Sequence, residues 1–288
     1  MHNDPSGEND RIQIYEPNAI IKRGLRAWVD MFYELTEYRE LIWRLMVRDI
    51  SARYRQSFLG ILWSFLTPLF IMGVFIVVKN KQLLPIGETK IPYPAYVFLG
   101  QMIWLLFSQG LTSASNSLIS SSSLLAKINF PKEVLIFSAL GQTIFDFIIR
   151  IPLLIIIFLW VGFIPKPTII LVPVIIIPLL FLILGIGLLL AMLNAVIRDI
   201  GGLLNIVLSI GLFVTPILYP PPTTWPLDFW INNINPISGF LIAAYDLTAT
   251  GYISNRAGYC FALFFSILVL CIGWRVFHLI EPKIAERI

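Results

Sequence analysis

Residues 38–78 read YRELIWRLMVRDISARYRQSFLGILWSFLTPLFIMGVFIVV. Two patterns meet in this stretch without a linker. Residues 38–57 are basic and aromatic; residues 58–78 carry no charge. On a helix, Arg44, Arg48 and Arg55, with Ser51 between them, make one polar stripe. Ile42, Trp43, Leu45, Met46, Val47, Ile50 and Tyr54 make an apolar face. Asp49 and Arg53 stand at i,i+4 and are expected to pair. A basic face opposite an aromatic-containing apolar face predicts a helix lying at a membrane surface. The run that follows is long enough to cross a bilayer core of about 30 Å. Two uses of the arginines stay open: a plain juxtamembrane anchor, or contact with a negatively charged lipid head group arriving from the cytoplasm.

The rest of the chain agrees with a membrane location. Of 288 residues, 57% are hydrophobic and 13% charged, against about 25% charged in a soluble domain. Six apolar segments approach or reach spanning length: 58–78, 95–115, 134–161, 168–197, 201–219 and 257–274. No secretory signal peptide is visible, so the first span is expected to act as its own insertion signal. The chain has 21 Lys and Arg. With the N-terminus inside, fifteen fall on cytoplasmic segments. Lys79, Lys81, Lys90, Lys166 and Arg256 fall outside, and Arg150 lies within a span. The positive-inside rule therefore puts both ends in the cytoplasm. It also turns the net charge of +4 toward anionic lipid and not toward nucleic acid. The expected fold is an all-α integral membrane protein with six transmembrane helices. Its parts are a polar cytoplasmic segment (1–37), an interfacial helix (38–57), a transmembrane domain (58–280) and a cytoplasmic tail (281–288).

Other polar features are sparse. Asp146 and Arg150 stand one turn apart inside the third span and are expected to neutralise each other. They serve either as a self-satisfied packing pair or as a polar patch on a conduit. The last outer loop holds Pro220-Pro221-Pro222, then Trp225 and Trp230, then a segment from Pro236 that suits a short helix dipping into the outer leaflet. Its aromatics fit either an interfacial belt or contact with a passing substrate. Cys260 and Cys271 lie about 16 Å apart along one helix and cannot pair. His2 and His278 are too scattered for a metal site, so no metal is expected. No GxxxxGK[ST] phosphate loop, HExxH or nucleophile elbow is present. No catalytic residues, and no cofactor in this chain, are expected.

Arg48-Asp49, then Arg53-Tyr54-Arg55-Gln56-Ser57-Phe58-Leu59-Gly60-Ile61-Leu62-Trp63, with Pro68 beyond, resembles the start of polysaccharide-exporting ABC-2 permeases. These are membrane subunits of exporters of lipopolysaccharide O-antigen, capsular polysaccharide and wall teichoic acid. The likeness continues at Lys127-Ile128-Asn129-Phe130-Pro131-Lys132-Glu133. It appears again at 194–201 with Arg198-Asp199-Ile200, at Thr215-Pro216-Ile217 and at Asn235-Pro236. It covers about residues 35–280.

The resemblance implies a homodimer in the bacterial inner membrane, joined by two copies of a separate ATPase that binds ATP and Mg²⁺. The missing phosphate loop fits that division. It implies that residues 127–133 form a coupling helix, with Phe130 filling an apolar pocket of the ATPase, and that Arg198 and Asp199 mark a second inner turn. It makes the surface helix a gate, where Arg44, Arg48, Arg53, Tyr54 and Arg55 meet the head group of a lipid-linked polysaccharide. Guanidinium forks suit phosphate oxygens. Trp63, Phe65, Trp104 and Phe107 become candidate conduit aromatics, against lipid-facing or core packing. O-antigen is the preferred cargo. The alternatives are capsule or teichoic acid, a drug- or lipid-exporting ABC-2 permease, and a membrane-embedded enzyme of glycan assembly.

Overall fold

The computed structural model describes residues 25–55, 60–125, 127–197 and 199–284. Every regular element among them is helical. The order is α1 (Leu25–Glu37), α2 (Arg39–Arg55), α3 (Trp63–Asn80), α4 (Tyr93–Ser120), α5 (Ser122–Leu125), α6 (Glu133–Trp160), α7 (Val172–Val196), α8 (Ile200–Val214), α9 (Pro236–Ala249) and α10 (Arg256–Ile284). Five stretches are long and apolar enough to cross a membrane: Gly60–Asn80, Tyr93–Ser120, Glu133–Trp160, Pro167–Val196 and Arg256–Glu281. The sixth segment expected from sequence forms only the shorter helix α8.

The core is a bundle of α4, α6, α7 and α10. Small residues set its spacing. A Cβ on Gly185 of α7 would lie 2.5 Å from the backbone carbonyl oxygen of Val269 in α10, and one on Gly187 would meet Ala114 of α4 at 2.7 Å. In a membrane, where burial of apolar surface cannot drive helices together, such close backbone approach gathers dispersion contacts. By contrast, α3 hangs on the outside of the bundle, with Pro68 and Met72 its buried residues.

Why α8 stops short is written in Pro216. A residue before proline is pushed out of the helical region, and Thr215 is extended, with φ −87° and ψ 137°. Residues 200–219 nevertheless run the height of α4. At one end Asn194 donates to the Ser115 carbonyl (3.0 Å) and accepts from the Gly201 N–H (3.1 Å). At the other, the Tyr93 hydroxyl donates to the Leu218 carbonyl, and the Tyr96 hydroxyl lies within hydrogen-bond reach of the Pro216 and Tyr219 carbonyls. The positions 96 and 115 are about 28 Å apart along α4. Helix α8 covers about 22 Å, and a non-helical tail whose carbonyls are met by tyrosine hydroxyls completes the path. Unmet carbonyls would be costly at that depth.

The end of the bundle where α10 begins is closed by α9, which is buried along almost its whole length. Asn235 caps it, accepting from the Ile237 N–H at 3.1 Å. At its other end the fully buried Asp246 carboxylate accepts from Lys90 and from the Ser254 hydroxyl and backbone. The short helix expected from Pro236 is therefore present, enclosed by protein on most of its surface. Ahead of it a π-helical turn, Phe229–Ile234, leaves Trp225 and Trp230 exposed.

The polar N-terminal segment contains α1, whose Trp28 packs edge-on to Trp274 at 6.0 Å. The last helix, α10, runs to Ile284, and Glu281 is buried.

Candidate functional site

Helix α2 packs against α6. Met46 lies over Gly141, and a little further on the Tyr54 ring meets Phe145 at 6.3 Å. The chain then turns at Gly60, whose φ of +45° is a left-handed value that glycine adopts without strain. This corner delivers the end of α2 and the start of α3 to the same stretch of α6.

The stretch is polar and buried. Asp146 and Arg150 are each 1% exposed. They do not form the pair that their spacing suggested. Asp146 pairs with Arg53 of α2 at 2.9 Å and accepts from the Tyr54 hydroxyl. Arg150 donates through Nε to the Ser64 carbonyl (3.0 Å) and through Nη2 to Gln109 Oε1 (3.2 Å). The expected Asp49–Arg53 pair is absent for the same reason. Asp49 takes Arg48 at 2.8 Å, and Arg53 goes to the carboxylate that has lost its water. A buried carboxylate requires a cation far more than an exposed one does. Burial, together with the hydrogen bond to Asp146, pushes the Tyr54 hydroxyl up from its usual range. It therefore stays protonated and donating.

Between these groups lies a cavity of about 260 Å³, lined by Arg53, Tyr54, Trp63, Ser64, Thr67, Gln109, Asp146 and Arg150. A larger hollow of about 530 Å³ runs along α3, but apolar residues alone line it, so it offers nothing to hold a charged group.

The other predicted site residues fall as follows. Arg44 pairs with Glu40 on the surface of α2 at 2.6 Å, and Arg55 is exposed. Of the candidate conduit aromatics, Trp63 is exposed and borders the polar cavity, and Phe65 is half-buried. Trp104 and Phe107 are buried together, their rings 5.7 Å apart, with Trp104 against Gly211 of α8. The four are not one lining.

In residues 127–133, Phe130 is 4% exposed and belongs to this chain's own core. It is not free to fill a partner's pocket. Pro131, Lys132 and Glu133 are buried too, and the residues that stand out are Lys127, Ile128 (53% exposed) and Asn129. The segment is tied to the end of α10. The Lys132 backbone N–H donates to Glu281 at 2.8 Å, its ammonium lies 3.5 Å from the same oxygen, and His278 Nδ1 lies 3.3 Å from Glu133. The donor atoms of Glu133, His278 and Glu281 fall within 4.8 Å of one another. Sequence reasoning missed this grouping. Its one local signal is His278 and Glu281 a turn apart, and nothing in the sequence pointed to Glu133 as their neighbour. Asp199 is exposed at the turn before α8; Arg198 lies outside the described residues.

These features define a multi-pass membrane protein, built of helices, with a buried polar node beneath a surface helix and an exposed loop anchored at one end of the bundle. Residues 40–247 match the ABC-2 type transporter family, and the chain belongs to that family. It is similar to the O-antigen export system permease protein RfbA of Myxococcus xanthus, 32% identical over 191 residues that cover 66% of this chain and 72% of the relative. Two Klebsiella pneumoniae proteins of the same description are 25% identical. One aligns over 261 residues (90% of this chain, 98% of the relative) and the other over 259 (89% and 98%).

Proposed function

We propose that this chain is the membrane permease of an ATP-driven exporter that carries a lipid-linked polysaccharide, of the O-antigen kind, across the bacterial inner membrane. The observation that carries this reading is the alignment along almost the whole length of O-antigen export permeases. Two copies form the conduit, and two copies of a separate ATPase drive it. ATP and Mg²⁺ belong to that ATPase, since this chain has no phosphate loop. The loop around Lys127, Ile128 and Asn129 is the docking point, and Arg198 and Asp199 are assigned as a second contact with the ATPase. Pro131, Lys132 and Glu133 pass its motion into α6 and α10. The head group is met along α2, by Arg44, Arg48 and Arg55 at the surface and by Arg53 and Tyr54 at the node. The lipid tail remains in the bilayer while the glycan moves outward past Trp63 and toward Trp225 and Trp230.

The test is co-purification of this chain with the ATPase encoded beside its gene, followed by assay of ATP hydrolysis and of surface polysaccharide in cells. A stable complex with vanadate-sensitive hydrolysis, and loss of surface polysaccharide when the chain is deleted, is the expected result. A well-folded chain that binds no ATPase overturns the reading.

A further inference from the structure

We propose that the cavity between the α2–α3 corner and α6 is an oxyanion site, with Arg150 as its anchor, and that it takes the phosphate of a lipid-linked head group. The choice of head group rests on the exporter reading above; the oxyanion site itself does not.

Arg150 is almost wholly buried, yet both of its hydrogen-bond acceptors, the Ser64 carbonyl and the Gln109 side chain, are neutral. Its Nη1 is buried with no hydrogen-bond partner among the described residues. Among the described residues the one carboxylate lining the cavity, Asp146, is already engaged by Arg53 and Tyr54. Two guanidinium groups and one carboxylate leave the site one positive charge in excess. A buried guanidinium short of an acceptor, in a site with one positive charge in excess, suits an anion, and a guanidinium edge is shaped for phosphate oxygens. The Thr67 hydroxyl on the lining adds an uncharged donor, while the Ser64 hydroxyl donates to the Tyr54 oxygen at 3.0 Å and helps to hold that ring in place. A volume of about 260 Å³ is several times the roughly 30 Å³ of one water, enough for a tetrahedral oxyanion with its nearest waters.

Two of the surface arginines differ in just this respect. Arg44 and Arg48 each have a carboxylate on their own helix, so those stretches carry no net charge to offer. They line the approach, and the phosphate comes to rest at Arg150 and Arg53.

The experiment titrates the purified full-length chain, in neutral detergent, with farnesyl diphosphate. Parallel titrations use inorganic pyrophosphate and phosphatidylglycerol in nanodiscs. The wild-type chain and Arg150→Lys, which keeps the charge and loses the fork, are compared. Thr67→Val at the cavity wall is a second variant that leaves the buried arginine in place. The expected result is farnesyl diphosphate affinity lowered about tenfold or more by Arg150→Lys and measurably by Thr67→Val. Equal binding of inorganic pyrophosphate assigns the site to a free anion; preferential binding of phosphatidylglycerol assigns it to bilayer lipid. Either keeps the oxyanion site and removes the head group. Affinities unchanged in both variants, or no binding of any probe by the wild-type chain, overturn the site. Arg150-dependent binding by a chain that pairs with no ATPase keeps the site and overturns the exporter reading instead.

Discussion

Asp146 shows how one side chain organises a neighbourhood. It sits on α6, and its partners come from α2, more than ninety positions away in sequence. Replacing it with Asn keeps the shape and removes the charge. Arg53 is half-exposed and regains water, so the loss is smaller than for a fully buried pair, about 1–2 kcal/mol. Thermal unfolding of Asp146→Asn in detergent measures it. Arg53→Gln in the same background should cost little more, because its partner is already gone; additive losses would show that the two do not act as a pair. The sequence announced a charged pair in the third span but gave the wrong partners. Spacing along one helix reports only that helix, and here the carboxylate is claimed by a cation from an element that packs alongside.

At the scale of elements, the loop before α6 was legible as a feature and not in its orientation. Phe130 is buried in this chain's own core, and the residues after it are tied to the end of α10 by the Lys132–Glu281 bond, between positions 149 apart. Phe130→Ala should therefore cost about 3 kcal/mol of stability. Ile128→Asp should leave the melting temperature unchanged and weaken retention of the ATPase in pull-down. Equal retention by Ile128→Asp and wild type would remove the loop from the docking surface. The segment after α8 makes a second case. Pro216 marks the break in the sequence, but the tyrosine hydroxyls that make the break tolerable lie on α4. Tyr96→Phe leaves one or two carbonyls unmet and should lower stability by about 1–2 kcal/mol, read by chemical or thermal unfolding of the detergent-solubilised chain.

For the whole molecule, five of the six apolar spans, the presence of a helix at Arg39–Arg55 and the family likeness were readable, since bilayer thickness imposes length and composition directly. The arrangement of the bundle was not. It depends on which small residues face each other, and glycines scattered through apolar runs do not declare their faces. The contact of Gly185 and Gly273 across α7 and α10 is the place to test this. Gly185→Leu should force the two helices apart and cost about 1–3 kcal/mol, together with lower yield of folded protein on size-exclusion chromatography. Full yield and stability would mean that the bundle is not built on that approach.

The tyrosine-capped tail of α8 has a consequence for how the chain is made. A ribosome delivers α4 to the membrane roughly a hundred residues before Pro216 emerges. The hydroxyls that receive the tail are thus already in the bilayer when it arrives. Alone, residues 200–219 offer an insertion machinery a short helix followed by bare carbonyls, a poor candidate for stable residence in lipid. The order of synthesis supplies what the segment lacks, and a rearranged gene in which α8 precedes α4 would have to hold that tail outside the membrane until its partner was translated.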